Sequence, residues 1–342
     1  MTFKRIFRGR ALYQTPDKIW VAKGITFYAI DYLGNRVTRK YTVGGLKDRL
    51  IGAFRLSRQL FRVGLHHLLP LDNGNILVTS KRITYIITPE GQIVHTFTGY
   101  QGNKPGHQGV CLTPDGTIFF AEYLLNTKRD HPVRLYRSTD NGASFQVVKK
   151  WPAGDICHLH FVKWDKYEKC LWLGTGDYGV GDKECKLYKS LDNGDTWELI
   201  GQESQNWRAI GVCFTKDALY WGTDAGSCSD TVHFVKMDRK TLRLEILDDF
   251  EGPCHGCASY ADARAFFSTG VEGGENEKDR YAHLKTFDGE RINEVLRIKK
   301  DIWPLIIQYG VMRFPLGTDA CNKVVFTTMG LRGHGECVMI EE

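Results

Sequence analysis

The stretch YKSLDNGDTWELIG, residues 188–201, and the stretch YRSTDNGASFQVVK, residues 136–149, spell one hairpin twice. In both, Asn-Gly predicts a tight two-residue turn, because glycine takes a positive φ without strain. Asp140 and Asp192 stand where a carboxylate can accept the turn's backbone N–H groups. Phe145 and Trp197 follow as large apolar plugs between neighbouring sheets. Ser138, Asp140, Gly142 and Phe145 in one copy match Ser190, Asp192, Gly194 and Trp197 in the other. Two copies at matching positions predict an array of like units.

Working outward, seven apolar strand-like segments recur: IWVAKG (19–24), ILVTSK (76–81), IFFAEY (118–123), LWLGTG (171–176), LYWGTD (219–224), AFFSTG (265–270) and VVFTTM (324–329). Each is preceded by an apolar strand and followed by a third, and usually by a fourth. Four antiparallel strands per repeat of roughly 40 to 50 residues is the period of a β-propeller blade. The expected fold is therefore all-β, a seven-bladed β-propeller forming a single domain over residues 1–342. The blades are placed at about 10–45, 66–99, 106–152, 156–202, 207–250, 253–301 and 307–342. FKRIFRG, residues 3–9, would supply the missing fourth strand of the last blade and close the ring. GLKDRLIGAFRLSRQLFRVG (45–64) is an amphipathic, arginine-rich insertion with helical spacing.

Composition limits the functional classes. A 12% aromatic content, 36 glycines and 10 prolines suit a turn-rich globular chain rather than a disordered one. The net charge of +6 is mild, and no basic runs interleave with aromatics, which argues against nucleic acid as a partner. No apolar stretch is long enough to span a membrane and no signal-like segment opens the chain, so a cytoplasmic location is expected. The ten cysteines are scattered, as reduced, buried thiols would be; Cys254 and Cys257 form the one C-x-x-C and lack a second pair at zinc spacing. Oligomeric state is not encoded in any pattern found.

The S-x-D-x-G-x-[ST]-[WF] pattern resembles the Asp-box of sialidase-like propellers. Together with CHLHFVKWD, NWRAIGVCF and LYWGTDA, it makes residues 105–275 similar to Asp-box (BNR-repeat) proteins found with polysaccharide genes. A more distant similarity is to seven-bladed polysaccharide lyases acting on uronic-acid chains. In Asp-box families the box lies at the turn between third and fourth strands, on the face opposite the active site. The resemblance therefore implies a structural role for both boxes and directs the search to the opposite strand ends.

Those ends carry an unusual density of polar residues, including Arg10, His66, His107, Gln108, His158, His160, Arg208, His255 and Tyr309 before innermost strands. Glu122, Tyr123, Asp177, Asp224 and Glu272 follow second strands. His158 and His160 are an i, i+2 pair and so share one side of a strand. Proton transfer, ligation of a divalent metal and hydrogen bonding in a polar channel are all open to them. No cofactor is required by the sequence.

For β-elimination on a uronate, Arg208 would neutralise the carboxylate, His158 or His160 would take the α-proton, and Tyr123 or Tyr309 would protonate the leaving oxygen. His107 and Gln108 would complete the pocket, and Trp221 offers either a sugar-stacking surface or core packing. A glycoside hydrolase would instead need two carboxyl groups from Glu122, Asp177, Asp224 or Glu272. The third class is a non-catalytic propeller that binds a glycan or a protein. The expected partner throughout is an acidic glycan. A true sialidase is disfavoured: KRIFRG lacks the proline of that family's Arg-Ile-Pro signature, and Arg208 is the one arginine convincingly placed in the central repeats.

Overall fold

Both hairpins fold with the same bonds. Ser138 Oγ donates to Asp140 Oδ1 and accepts the Gly142 N–H; Asp140 accepts the Ser144 N–H and hydroxyl. Ser190, Asp192, Gly194 and Thr196 repeat all four contacts. Asn141 and Gly142 have φ of 56° and 82°, Asn193 and Gly194 55° and 87°, the left-handed pair that a tight hairpin turn needs. Four hydrogen bonds from the turn hold the Asp192 pKa down at about 2, the Thr196 hydroxyl contributing most.

The computed structural model describes residues 2–177, 182–225 and 232–341. In chain order, β1 (Thr2–Arg8) is followed by a four-stranded antiparallel sheet of β2 (Arg10–Gln14), β3 (Ile19–Lys23), β4 (Thr26–Ile30) and β5 (Tyr41–Thr42). Two short helices come next, α1 (Leu46–Ala53) and α2 (Arg55–Phe61), within the amphipathic insertion. Asp48 accepts the Gly45 N–H at the start of α1, and Arg62 in a left-handed conformation ends α2.

Four sheets of the same pattern follow. They are β6 (His67–Pro70), β7 (Ile76–Ser80), β8 (Ile83–Ile87), β9 (Ile93–Phe97); β10 (Val110–Leu112), β11 (Ile118–Ala121), β12 (Val133–Ser138), β13 (Gln146–Trp151); β14 (His158–Asp165), β15 (Cys170–Gly176), β16 (Lys186–Ser190), β17 (Glu198–Gly201); and β18 (Cys213–Phe214), β19 (Ala218–Gly222), β20 (Val232–Asp238), β21 (Leu244–Phe250). The chain ends with β22 (Cys254–Ser259), β23 (Ala265–Val271), β24 (Tyr281–Phe287), β25 (Ile292–Lys299), then β26 (Gly310–Arg313), β27 (Val324–Met329) and β28 (Glu336–Glu341).

Second strands such as β7, β11, β15 and β23 are buried along their whole length, whereas fourth strands such as β9 and β21 are largely exposed. The continuous apolar runs of the second strands reflect burial on both faces.

Two compact units are distinguishable, unit 1 (Met1–Leu68 with Phe250–Glu342) and unit 2 (Leu69–Asp249). In unit 2, cores form between successive sheets: Phe119 and Leu135 pack with Leu159 and Leu173, while Trp172 and Phe161 pack with Trp221 and Val235. The hairpin plugs join in as expected, Trp197 against the first of these cores and Phe145 stacked on Phe97 at 4.5 Å.

In unit 1, β1 pairs with β28, Phe3 opposite Ile340 and Arg8 opposite Glu336, so the 3–9 segment does lie on the last strand. One detail departs from expectation. The last two repeats are not separate sheets, because Gly270 and Val271 of β23 pair with Val311 and Gly310 of β26, joining them into one eight-stranded sheet.

Because Ser190 Oγ satisfies two partners inside a buried turn, Ser190→Ala is expected to lower stability by about 1–2 kcal/mol. A urea midpoint shifted down with an unchanged slope would show it; an unchanged midpoint would remove the structural role assigned to the hairpin.

Candidate functional site

Strand register settles where to look within unit 2. Along β15, Leu171 faces Ser190 next to the hairpin, while Gly176, at the other end, faces His158. The hairpin and the histidines therefore sit at opposite ends of one sheet, about 20 Å apart for a seven-residue strand.

At the histidine end the ladder skips from Leu159–Thr175 to Phe161–Gly174, leaving His160 as the extra residue of a β-bulge. The bulge aims the two imidazoles at each other. His158 Nε2 and His160 Nε2 are 3.0 Å apart, His158 Nδ1 lies 3.2 Å from Leu124 O, and His160 Nδ1 lies 3.0 Å from Ala209 O. A carbonyl accepts only, so each Nδ1 must carry a hydrogen. Two neutral rings would then bring two Nε2 lone pairs together at 3.0 Å, a repulsive arrangement. A shared proton removes the conflict and gives the pair one positive charge. Burial pulls His158 down to about 4, so that ring does not take a proton of its own at neutral pH.

Gly106 packs beside this pair because a Cβ there would stand 2.5 Å from His160 O. It brings the neighbouring, buried His107 and Gln108 alongside β14, where Gln108 bridges to Phe161. The Tyr123 ring lies 4.1 Å from the His158 ring, with Lys104 Nζ 5.9 Å from the Tyr123 centroid.

Arg208 closes the group from the turn before β18. Its Nη2 donates to Asp177 Oδ1 at 2.9 Å and to Asp224 Oδ2 at 3.1 Å. One guanidinium and one shared imidazole proton thus balance two carboxylates. Cys157, His158 and Asp177 also place one ligand-type atom each within 4.8 Å of one another. The Cys157 thiol, however, is pushed up to about 12 by burial and stays protonated.

Several expected site residues have other duties. Glu122 is completely buried; its carboxylate accepts the Gln101 and Arg134 N–H groups at 2.6 and 2.9 Å, with the Tyr136 hydroxyl 3.4 Å away. Desolvation pushes its pKa above the usual carboxylate value, and no face of it is open to a substrate. Trp221 is likewise sealed in the core, its indole N–H donating to Asn206 O, so it offers no stacking surface. Arg208 is an arginine already neutralised twice over.

Unit 1 holds the remaining candidates. His255 occupies a bulge like that of His160, Cys254 pairing with Thr269 and Gly256 with Ser268. Its Nε2 lies 2.8 Å from Glu272 Oε1, and its ring stacks on Tyr309 at 5.5 Å. Tyr309 is 40% exposed. Arg313, in GVMRF, was not among the expected site residues. The signal was present, since a charged residue inside an innermost apolar strand repeats what Arg10 does in RALYQ.

No protein-family profile matches the chain, and no curated protein does. Solved structures do. An oligogalacturonate lyase from Vibrio parahaemolyticus aligns at 14% identity with a TM-score of 0.60, covering 98% of this chain and 92% of that one. An oligogalacturonate lyase in complex with manganese aligns at 13% identity, TM-score 0.60, with the same coverage. The extracellular domain of a hybrid two-component system from B. thetaiotaomicron aligns at 10% identity and TM-score 0.58; the chain spans 39% of that protein. At these identities the likeness establishes a β-propeller and nothing about activity.

A pH dependence follows from His334, whose Nδ1 accepts the Gly330 N–H at 3.0 Å. Burial, and then Arg55, Arg58 and Lys300 against the opposing Asp301, hold it down at about 4, below the usual 6.5. Between those values the unfolded chain takes a proton that the folded one refuses, so stability falls as pH drops through that window. About 1–2 kcal/mol should be lost by pH ~5. Urea midpoints measured at about pH 7.5 and about pH 5 should differ less in His334→Gln; an equal difference would clear His334 of the effect.

Proposed function

We propose that the chain is a single seven-bladed β-propeller domain, closed by β1, that acts on an acidic, uronate-containing oligosaccharide by β-elimination. The observation that carries this reading is the His158–His160 pair, whose Nε2 atoms converge while both Nδ1 atoms are anchored on backbone carbonyls. The propeller fold shared with oligogalacturonate lyases supports it at the level of architecture.

Convergent Nε2 atoms 3.0 Å apart can both reach one ion at the usual distance of about 2.1 Å, and outward Nδ1–H groups held by carbonyls are the support that metal-bound histidines have. The donor set therefore fits a divalent metal, with His158 and His160 as its holders. Bound there, a divalent ion would supply a Lewis acid that draws charge from the uronate carboxylate and acidifies the α-proton. Asp177 would keep the neighbourhood electrically balanced. Tyr123, packed on His158, would protonate the leaving oxygen.

The hydrolase alternative is weakened by its own requirement. Glu122 is sealed, and Asp177 and Asp224 are both held by Arg208, so these three expected carboxylates do not supply a free pair to flank a glycosidic bond. A second reading does have an observation in its favour. The mutual satisfaction of His158, His160, Arg208, Asp177 and Asp224 is what a glycan-binding propeller without catalysis would show.

Incubation with a panel of acidic oligosaccharides, with and without chelator, separates these. An unsaturated uronate detected by its ultraviolet absorbance, lost on chelation and reduced at least about 100-fold in a folded His158→Ala variant, is the expected result. New reducing ends without that absorbance would transfer the reading to hydrolysis. No product from any substrate would transfer it to binding alone.

A further inference from the structure

In unit 1, the end of β2 and the segment that leaves β26 run side by side in the same direction. Tyr13 bridges Leu316 in parallel, Gln14 N–H donates to Leu316 O, and Leu316 N–H donates to Leu12 O. Nearer the start of both strands, Ala11 N–H donates to Thr327 Oγ1, and Thr327 is the ladder partner of Arg313. This register sets Arg10 and Arg313 next to each other, both half-buried.

Partners distinguish them from other arginines of the chain. Arg55, Arg129 and Arg239 each rest on a carboxylate. Arg10 reaches only Leu65 O at 3.4 Å and His66 Nδ1 at 3.3 Å, and its buried Nε has no hydrogen-bond partner among the described residues. The Arg313 side chain has neither an ion pair nor a hydrogen bond among the described residues. Burial, and next the proximity of Arg313, hold the Arg10 guanidinium down at about 9. Two adjacent, partly desolvated cations without a counter-charge are costly unless an anion joins them.

We propose that Arg10 and Arg313 form a binding site for one carboxylate of an acidic sugar, with the Tyr309 ring as the surface on which the sugar lies. This rests on the uronate reading above and names the group in the chain that would recognise the acid. Two planar guanidinium forks match a planar carboxylate, and each fork can make two parallel hydrogen bonds. Tyr309, stacked on His255 and 40% exposed, gives the apolar face that a sugar ring needs and an inorganic ion does not.

The test is calorimetric titration of the full chain with galacturonate, with galactose as the neutral counterpart and with sodium sulfate. Galacturonate should bind at least about tenfold tighter than galactose, and Arg10→Gln and Arg313→Gln should each weaken it about tenfold or more. Arg313→Lys should recover part of the loss, since it keeps the charge without the fork. Without ligand, Arg313→Gln should melt no lower than the parent, because it leaves no partner behind.

Galacturonate binding that neither glutamine variant changes would overturn the site, as would sulfate binding equal to that of galacturonate. The two proposals fail separately. Arginine-dependent galacturonate binding in a protein that forms no unsaturated product sustains this site and sinks the lyase; turnover untouched in both glutamine variants does the reverse.

Discussion

Strand β1 against β28 is the pairing on which unit 1 depends. From Thr2 opposite Glu341 to Arg8 opposite Glu336, it covers a strand edge that would otherwise offer open N–H and C=O groups. Behind β28 lie β27 and β26, and behind β26 the end of β23. The strand that carries Arg313 and begins beside Tyr309 is thus the middle of a sheet whose outer boundary is set by seven N-terminal residues. Any change that loosens β1 acts on that sheet before it acts on any ligand.

The two polar groups solve burial differently. In unit 2, Arg208 has Asp177 and Asp224 within hydrogen-bonding distance, and the two histidines meet through their Nε2 atoms. Such a group is rigid, because moving one member strands another in a medium that does not forgive unpaired charge. Unit 1 has an acid and a histidine joined, Glu272 with His255, but its two arginines lie outside that exchange. Rigidity without vacancy suits a scaffold for a metal or a shared proton; unmet charge suits recognition.

Much of the architecture was legible in the sequence because strand signals are local. Asn-Gly turns, continuous apolar second strands and their regular recurrence depend on neighbours a few residues away, and all seven second strands formed where those signals placed them. What a buried polar side chain finds across the fold is not local. Glu122 ends an apolar strand and looks functional, yet it answers two backbone N–H groups, one from a distant loop, that nothing in the sequence identifies as orphaned. Arg208 reads as a substrate clamp, and only tertiary placement decides that it meets both Asp177 and Asp224. The bulge at His160 is similarly silent, since i, i+2 spacing predicts a shared side but not two nitrogens in contact. Trp221 reads as core or as platform until the sheet beside it is placed.

Unit 2 is one unbroken stretch of chain, while unit 1 is assembled from residues on both sides of it. During synthesis, β2–β5 can pair among themselves, but β1 must wait through all of unit 2 before β28 exists. For that interval β1 is a strand without a sheet, the condition in which chains pair with the wrong neighbour. Its sequence, TFKRIFR, places Lys4, Arg5 and Arg8 among the apolar residues. Those cations do little for the finished ladder, where two of them meet Glu336 and Glu341 at the surface. Their larger effect belongs to the nascent chain, in which they keep an early strand from aggregating until the last one arrives.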